Sequence, residues 1–185
     1  MNLTCSVLVL FISGFILSYF VEKYKIEFLK KMPKWFMEKI AWVADAKNSF
    51  WYIMMFIFLF NSISIFIYML SAVTILGPLL IIIMTGLNIG IIIQEQPDLT
   101  EIGQIKSPNP IIAAYGLIVL FIEIFVFCFS LAMGLSMASQ LLTSYSINRI
   151  LALIGYRIWP YLFICVPLLI FSAFLETKAI KDTQK

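Results

Sequence analysis

Five apolar stretches, each close to or above the roughly 20 residues that a helix needs to cross a bilayer, constrain this chain more than any other feature. They run over about 3–20, 49–73, 76–94, 109–142 and 147–175. The fold class they predict is all-α: a polytopic membrane helix bundle of about five transmembrane helices. One cytoplasmic, interfacial amphipathic helix is added over about 21–48. Composition agrees. The chain is 62% apolar and 12% charged, whereas a soluble domain carries about twice that charge. This excludes an ordinary soluble globule and equally a disordered chain. The 185 residues leave no room for a separate catalytic domain once the spans are counted. The first stretch lacks a basic leader and a small-residue cleavage site, so it reads as a span and not as a signal peptide. Gly77-Pro78 marks the turn into the third. Pro160 and Pro167 predict kinks in the fifth. The last two stretches exceed the length needed, which predicts tilting or a break.

Orientation follows from the basic residues. Lys23, Lys25, Lys30, Lys31, Lys34, Lys39 and Lys47 follow the first span, Lys106 lies between the third and fourth, and Lys178, Lys181 and Lys185 form the tail. With the N-terminus outside and the C-terminus in the cytoplasm, these eleven of the thirteen basic residues all face the cytoplasm. Arg149 and Arg157 alone lie in the outer half of the fifth span.

Between the first two spans, Phe28, Leu29, Met32, Trp35, Phe36, Ile40 and Val43 recur at helical spacing, with the lysines largely on the other side. Pro33 is expected to split this segment, with a helix beginning near Lys34. A basic, aromatic-rich amphipathic helix joined to a span is expected to lie in the membrane interface. Nucleic acid is a poor fit, because the aromatics share the face that lipid would cover. The loop to the fourth span carries Glu95, Asp98 and Glu101 against Lys106, and Pro97, Pro108 and Pro110 make it turn-rich.

Polar residues inside hydrocarbon are costly and usually face the bundle interior. Helical rise places Asn61 about 18 Å and Glu123 about 21 Å from the cytoplasmic end, with Thr85 and Asn88 about 14 and 9 Å deep. The four form a candidate intramembrane polar cluster. As a structural alternative, Asn61 and Thr85 serve as interhelical hydrogen-bond glue, worth roughly 1 kcal/mol each. Gly86 with Gly90, and Gly134 with Ala138, are small-residue faces for close helix packing. Glu123 is the residue of greatest interest. A lone mid-membrane carboxyl must be protonated, paired or wet. Arg157 stands about 12 Å higher by helical rise. Without a cation beside it, Glu123 is expected to be neutral and to donate a hydrogen bond to Asn61. Glu176, at the cytoplasmic boundary, is expected to be solvated.

Several chemistries find no support. The chain has no histidine, the commonest zinc ligand and general base. Cys5, Cys128 and Cys165 sit in apolar runs as buried thiols, and no metal site or cofactor is predicted. There is no phosphate-binding glycine loop, no H-E-x-x-H and no G-x-S-x-G. An enzyme is not expected.

Some residues carry a family resemblance. Phe60-Asn61-Ser62-Ile63, the Gly77-Pro78 turn and Thr85-Gly86-Leu87-Asn88-Ile89-Gly90 are joined by Glu123 with Gly134-Leu135 eleven residues on, and by Ala173-Phe174-Leu175-Glu176. Over about 58–176 this pattern resembles the stage II sporulation protein M family of integral membrane proteins. Its members place Asn, often Asn-Asn, early in one span, then an Asn-Gly-x-x-x-Gly-like element, then His-Gly-x-x-Glu, and finish on Ala-x-x-Glu. Here Val119-Leu120 stand in place of His-Gly, Ser62 in place of the second Asn, and Thr85 in place of the Asn before Gly86. A role for that histidine would have no counterpart in this chain. The resemblance implies action with partner proteins in a membrane, since the family's namesake acts that way in engulfment.

The expected function is therefore that of a non-enzymatic multi-pass protein of the cell membrane, working in a membrane complex. It would contact the lipid bilayer and either a second copy of itself, as a homo-oligomer, or another membrane protein. The rival is a small transporter or channel with a polar cavity around Glu123, open to the cytoplasm. The orientation is directly testable. Asp45→Cys should react with a membrane-impermeant thiol reagent only from the cytoplasmic side, and labelling from outside intact cells would overturn it.

Overall fold

A computed structural model describes residues 3–45, 47–95 and 110–184. Pro97, Asp98, Glu101, Lys106 and Pro108 lie outside the described residues, as do the side chains of Met32, Phe36 and Ile40. Of the described residues 91% are helical and none lies in a strand. Among the described residues, four helices are long and apolar enough to cross a membrane, or five when the bent pair at the N-terminus counts as one broken span.

In order, the helices are α1 (Leu3–Lys23), α2 (Glu27–Val43), α3 (Phe50–Leu70), α4 (Gly77–Glu95), α5 (Pro110–Thr143), α6 (Ile147–Pro160) and α7 (Val166–Thr183). Local chemistry sets several ends. Ser49 caps α3 by accepting from the Tyr52 N–H at 3.2 Å. Ser146 caps α6 by accepting from the Arg149 N–H at 3.3 Å. Both satisfy a donor that a helix start leaves free. After α3 a short 3₁₀ turn, Ser71–Thr74, leads through Ile75 at φ 62° into α4. Gly77 is required there, since a Cβ would collide with the Ser71 carbonyl and the Thr74 hydroxyl.

The tightest packing is α1 on α4. The Gly14 backbone lies against Ile83 and Leu87, and Gly86 lies against Phe11 and Phe15 in return. A Cβ at either glycine would be driven into a carbonyl oxygen of the facing helix, and at Gly90 into Ser18. Small residues from both partners thus let two backbones touch. The Gly86–Gly90 face is therefore filled by the chain's own first helix, through Gly14, which sequence reading did not single out. The Gln94 side-chain amide closes this seam by donating to the Ser18 hydroxyl at 2.9 Å.

On the other side, α5 packs against α3 and α7 over a core that includes Ile65, Met69, Val126, Leu131, Met137 and Leu169. Gly134 lets the end of α3 approach: a Cβ there would stand 3.2 Å from the Tyr68 carbonyl oxygen. Ala138 is buried one turn on. The Ser130 hydroxyl donates to the Ile65 carbonyl at 2.7 Å, so a buried polar group is satisfied across helices.

One expectation is corrected: Pro33 lies inside one helix and does not divide it. The chain breaks earlier, at Lys25 with φ 52°, where α1 and α2 meet at 115°. One proline removes one backbone hydrogen bond, and a helix of 17 residues absorbs that loss. The lysines of α2 largely face away, with Lys31, Lys34 and Lys39 exposed, while Lys30 is buried and paired with Glu22. In the last stretch the expected irregularity falls between its two prolines. A π-helical turn, Tyr161–Cys165, joins α6 to α7, with the Val166 N–H donating to Tyr161, and the helix runs over Ile147–Thr183. The wider turn makes room where Pro167 has no N–H to give. At its far end Lys181 donates to the Asn48 carbonyl at 2.7 Å, which ties α7 to the start of α3.

Substitution at the α1–α4 seam should be severe. Gly86→Leu is expected to cost about 3 kcal/mol or more, because backbone must move and not a side-chain tip. Gly116→Leu, where nothing lies within 4 Å of a Cβ, should be neutral. Thermal unfolding of both variants in mild detergent checks the contrast.

Candidate functional site

The two tightly packed seams leave a space between them. It measures about 310 Å³ and is bounded by α1, α3, α4, α5 and α7. Asn61, Thr85 and Glu123 all line it, as do Ser64 and Tyr68. Most of the wall is apolar: Phe11, Ile65, Phe127 and Leu169. Asn88 does not line it. It lies three residues beyond Thr85 on α4, far enough round the helix to turn off the cavity face.

Glu123 is the centre of the polar end. The Asn61 side-chain amide donates to its Oε1 at 2.8 Å, and the Ser172 hydroxyl donates to the same oxygen at 3.4 Å. Three helices thus converge on one carboxyl: α3 through Asn61, α5 through Glu123 and α7 through Ser172. The Asn61–Glu123 bond runs in the opposite direction from the sequence expectation. Two donors, an amide and a hydroxyl, meet at one oxygen, so that oxygen is an acceptor.

The residues around this contact are tied in as well. Ser62 and the Tyr161 hydroxyl lie 2.6 Å apart, and that hydroxyl also donates to the Ser62 carbonyl at 2.8 Å. The π-helical turn is thereby pinned to the residue next to Asn61. Across the cavity, Thr85 faces the Tyr68 phenol. Arg157 does not reach Glu123: its guanidinium donates to the Ser136 hydroxyl at 2.8 Å and lies over the Tyr156 ring.

Glu176 is not simply solvated. It is half-buried, one helical turn beyond Ser172 on the same face of α7, and close enough to Glu123 for their charges to interact. Beyond it, Lys178 sits over the Tyr115 ring, 5.1 Å from the centroid. Ser172 and Glu176 escaped sequence reading as partners of Glu123. Their four-residue spacing was visible, but no pattern says which span faces α5.

The mouth of the cavity lies between α1 and α5. Leu8, Leu120 and Ile124 line it and are exposed on the outer surface of the bundle. No group of three or more histidine, cysteine or acidic residues able to hold a metal ion occurs among the described residues.

The model of the family "Stage II sporulation protein M" matches residues 7–178, from the first helix through the last. No curated protein and no solved structure matches the chain.

The carboxyl cluster predicts a contrast between two variants. Glu123→Gln retains an oxygen for Asn61 and Ser172, so the fold should be kept. Glu123→Leu strands both donors and should cost roughly 1–2 kcal/mol. Equal melting temperatures for the two in detergent would count against a structural role for the contact.

Proposed function

The chain belongs to the stage II sporulation protein M family, and from that premise we propose that it is a non-enzymatic component of a membrane protein complex. In this reading it resides in the cell membrane with its N-terminus outside and its C-terminus in the cytoplasm. The observation that carries it is where the chain's surface lies. Nearly all of the described residues are helix, and the spans with their connecting helices form one bundle, so among the described residues the surfaces offered to other molecules are helix faces. The Gly86–Gly90 and Gly134–Ala138 faces are already filled from within the chain.

The face best placed for a partner is α6, which buries none of its side chains. Its Arg149 and Arg157 turn back to Thr143 and Ser136 of α5. Its Ile147, Leu151, Tyr156 and Trp159 are exposed. The helix over Ile147–Thr183 has 37 residues, about 55 Å by helical rise, against a hydrocarbon core of about 30 Å. Since Lys181 is anchored beside Asn48, the surplus length falls at the α6 end. A helix there with a polar side turned inward and an apolar side turned outward fits a second membrane protein or a second copy of this chain.

A second reading, a small transporter, draws on the cavity at Glu123. Its mouth is framed by Leu8, Leu120 and Ile124 and not by polar groups, so a lipid-soluble solute suits it better than a hydrated ion.

Purification from native membranes in mild detergent, followed by mass spectrometry, tests the leading reading. A membrane protein partner, or a second copy, should be recovered in fixed proportion. The paired change Leu151→Glu with Tyr156→Glu should cut that recovery several-fold while membrane insertion is unchanged. Native mass spectrometry showing only the monomer, with no partner, would overturn it.

A further inference from the structure

We propose that the Glu123 cavity is a binding site for a lipid-soluble organic cation, of which a single-chain primary amine is the simplest representative. The inference is independent of the partner reading, since it concerns the inside of the bundle and not its outer faces.

The size and lining of the cavity point to an amphipathic molecule. Its volume of about 310 Å³ lies at the small end of ligand pockets, which run from about 300 to 1,000 Å³. Apolar walls with a few polar groups gathered at one place are the usual composition of such a site. Here the polar groups gather at Glu123. Its Oε1 accepts from both Asn61 and Ser172, and its second oxygen accepts no hydrogen bond among the described residues.

Charge decides the class of ligand. Among the described residues no lysine or arginine pairs with Glu123: Arg157 is engaged by Ser136, and Lys178 lies over Tyr115. A carboxyl held in hydrocarbon is compensated by a proton or by a cation. An ammonium head supplies the cation together with three hydrogen-bond donors, which suit the open oxygen and the neighbouring Ser64 hydroxyl. Its alkyl chain lies against the apolar wall. A fatty acid would bring a second negative charge beside Glu123 and Glu176. A bare divalent metal ion favours several carboxylate ligands, and Glu123 is the one carboxylate lining the cavity.

Access comes from the lipid. Leu8 on α1 and Leu120 and Ile124 on α5 border the mouth and are exposed at the surface of the bundle. An amine that partitions into the bilayer can therefore enter sideways, chain and head together, without crossing an aqueous vestibule.

Photolabelling tests this. The whole protein is placed in phosphatidylcholine nanodiscs with dodecylamine bearing a mid-chain diazirine, irradiated, and its peptides are mapped. Labelling should concentrate on the cavity-lining parts of α3 and α5. Unlabelled dodecylamine should compete for it, and dodecanol and dodecanoate should not. Glu123→Gln should lower the labelling about tenfold or more, the effect of losing a charge-assisted hydrogen bond. That variant keeps the acceptor for Asn61, and an unchanged melting temperature confirms that its fold is retained. Ile124→Trp, which narrows the mouth and leaves the carboxyl in place, should also lower it. Three results would each overturn the proposal: undiminished labelling of Glu123→Gln, equal competition by dodecanol, or labelling spread evenly over all outward-facing helices.

Discussion

In hydrocarbon, a polar group that the protein does not satisfy itself goes unsatisfied, and this condition organises the whole bundle. The backbone meets it by being helical almost throughout. The side chains meet it by pairing. Ser130 reaches across to the Ile65 carbonyl, Thr177 donates back to the Ala173 carbonyl, and Gln94 donates to Ser18. Each bond links neighbouring turns or neighbouring helices, so satisfying the polar groups and assembling the spans are one process. Few polar atoms escape it. Among the described residues, the Gln94 side-chain oxygen and the Arg157 Nε are buried without a partner.

Lipid tails are as apolar as the helices they surround, so packing in a membrane depends on close fit more than on removal from water. The glycines provide that fit at two seams. Gly14 and Gly86 interlock α1 with α4, and Gly134 admits the end of α3 to α5. Between these seams α1 and α5 meet only loosely, and the cavity occupies the interval. The same small residues that close two interfaces thereby place a space beside Glu123. The π-helical turn supports the arrangement, because Tyr161 holds Ser62 while its neighbour Asn61 holds Glu123.

Glu123 reconciles two demands. As a structural group it gathers an amide and a hydroxyl from two other helices, which fixes the relation of α3, α5 and α7. As a polar group it remains only partly engaged, facing a cavity that opens toward the lipid. A buried carboxyl of this kind is a weak source of stability. In the proposed amine site it would discriminate between ligands by charge, and Glu176 beside it would add to the rejection of anions.

Much of the fold was legible in the sequence because its causes are local. Apolar run length dictates helices that cross a membrane, and hydrocarbon forbids most alternatives. The depth of Asn61 and Glu123 followed from helical rise alone, and the structure brings them within 2.8 Å. Depth does not give direction around the helix axis. Thr85 therefore reached the cavity while Asn88, at a depth also within reach, did not. Pairings of helices were equally out of sight. A glycine face says that something packs closely upon it, and only the tertiary structure decided that Gly86 and Gly90 receive α1 of the same chain. Ser172 and Glu176 became neighbours of Glu123 for the same reason. Their place depends on how α7, carried past two prolines by a π-helical turn, is rotated against α5, and that rotation is settled by side-chain packing across the whole bundle.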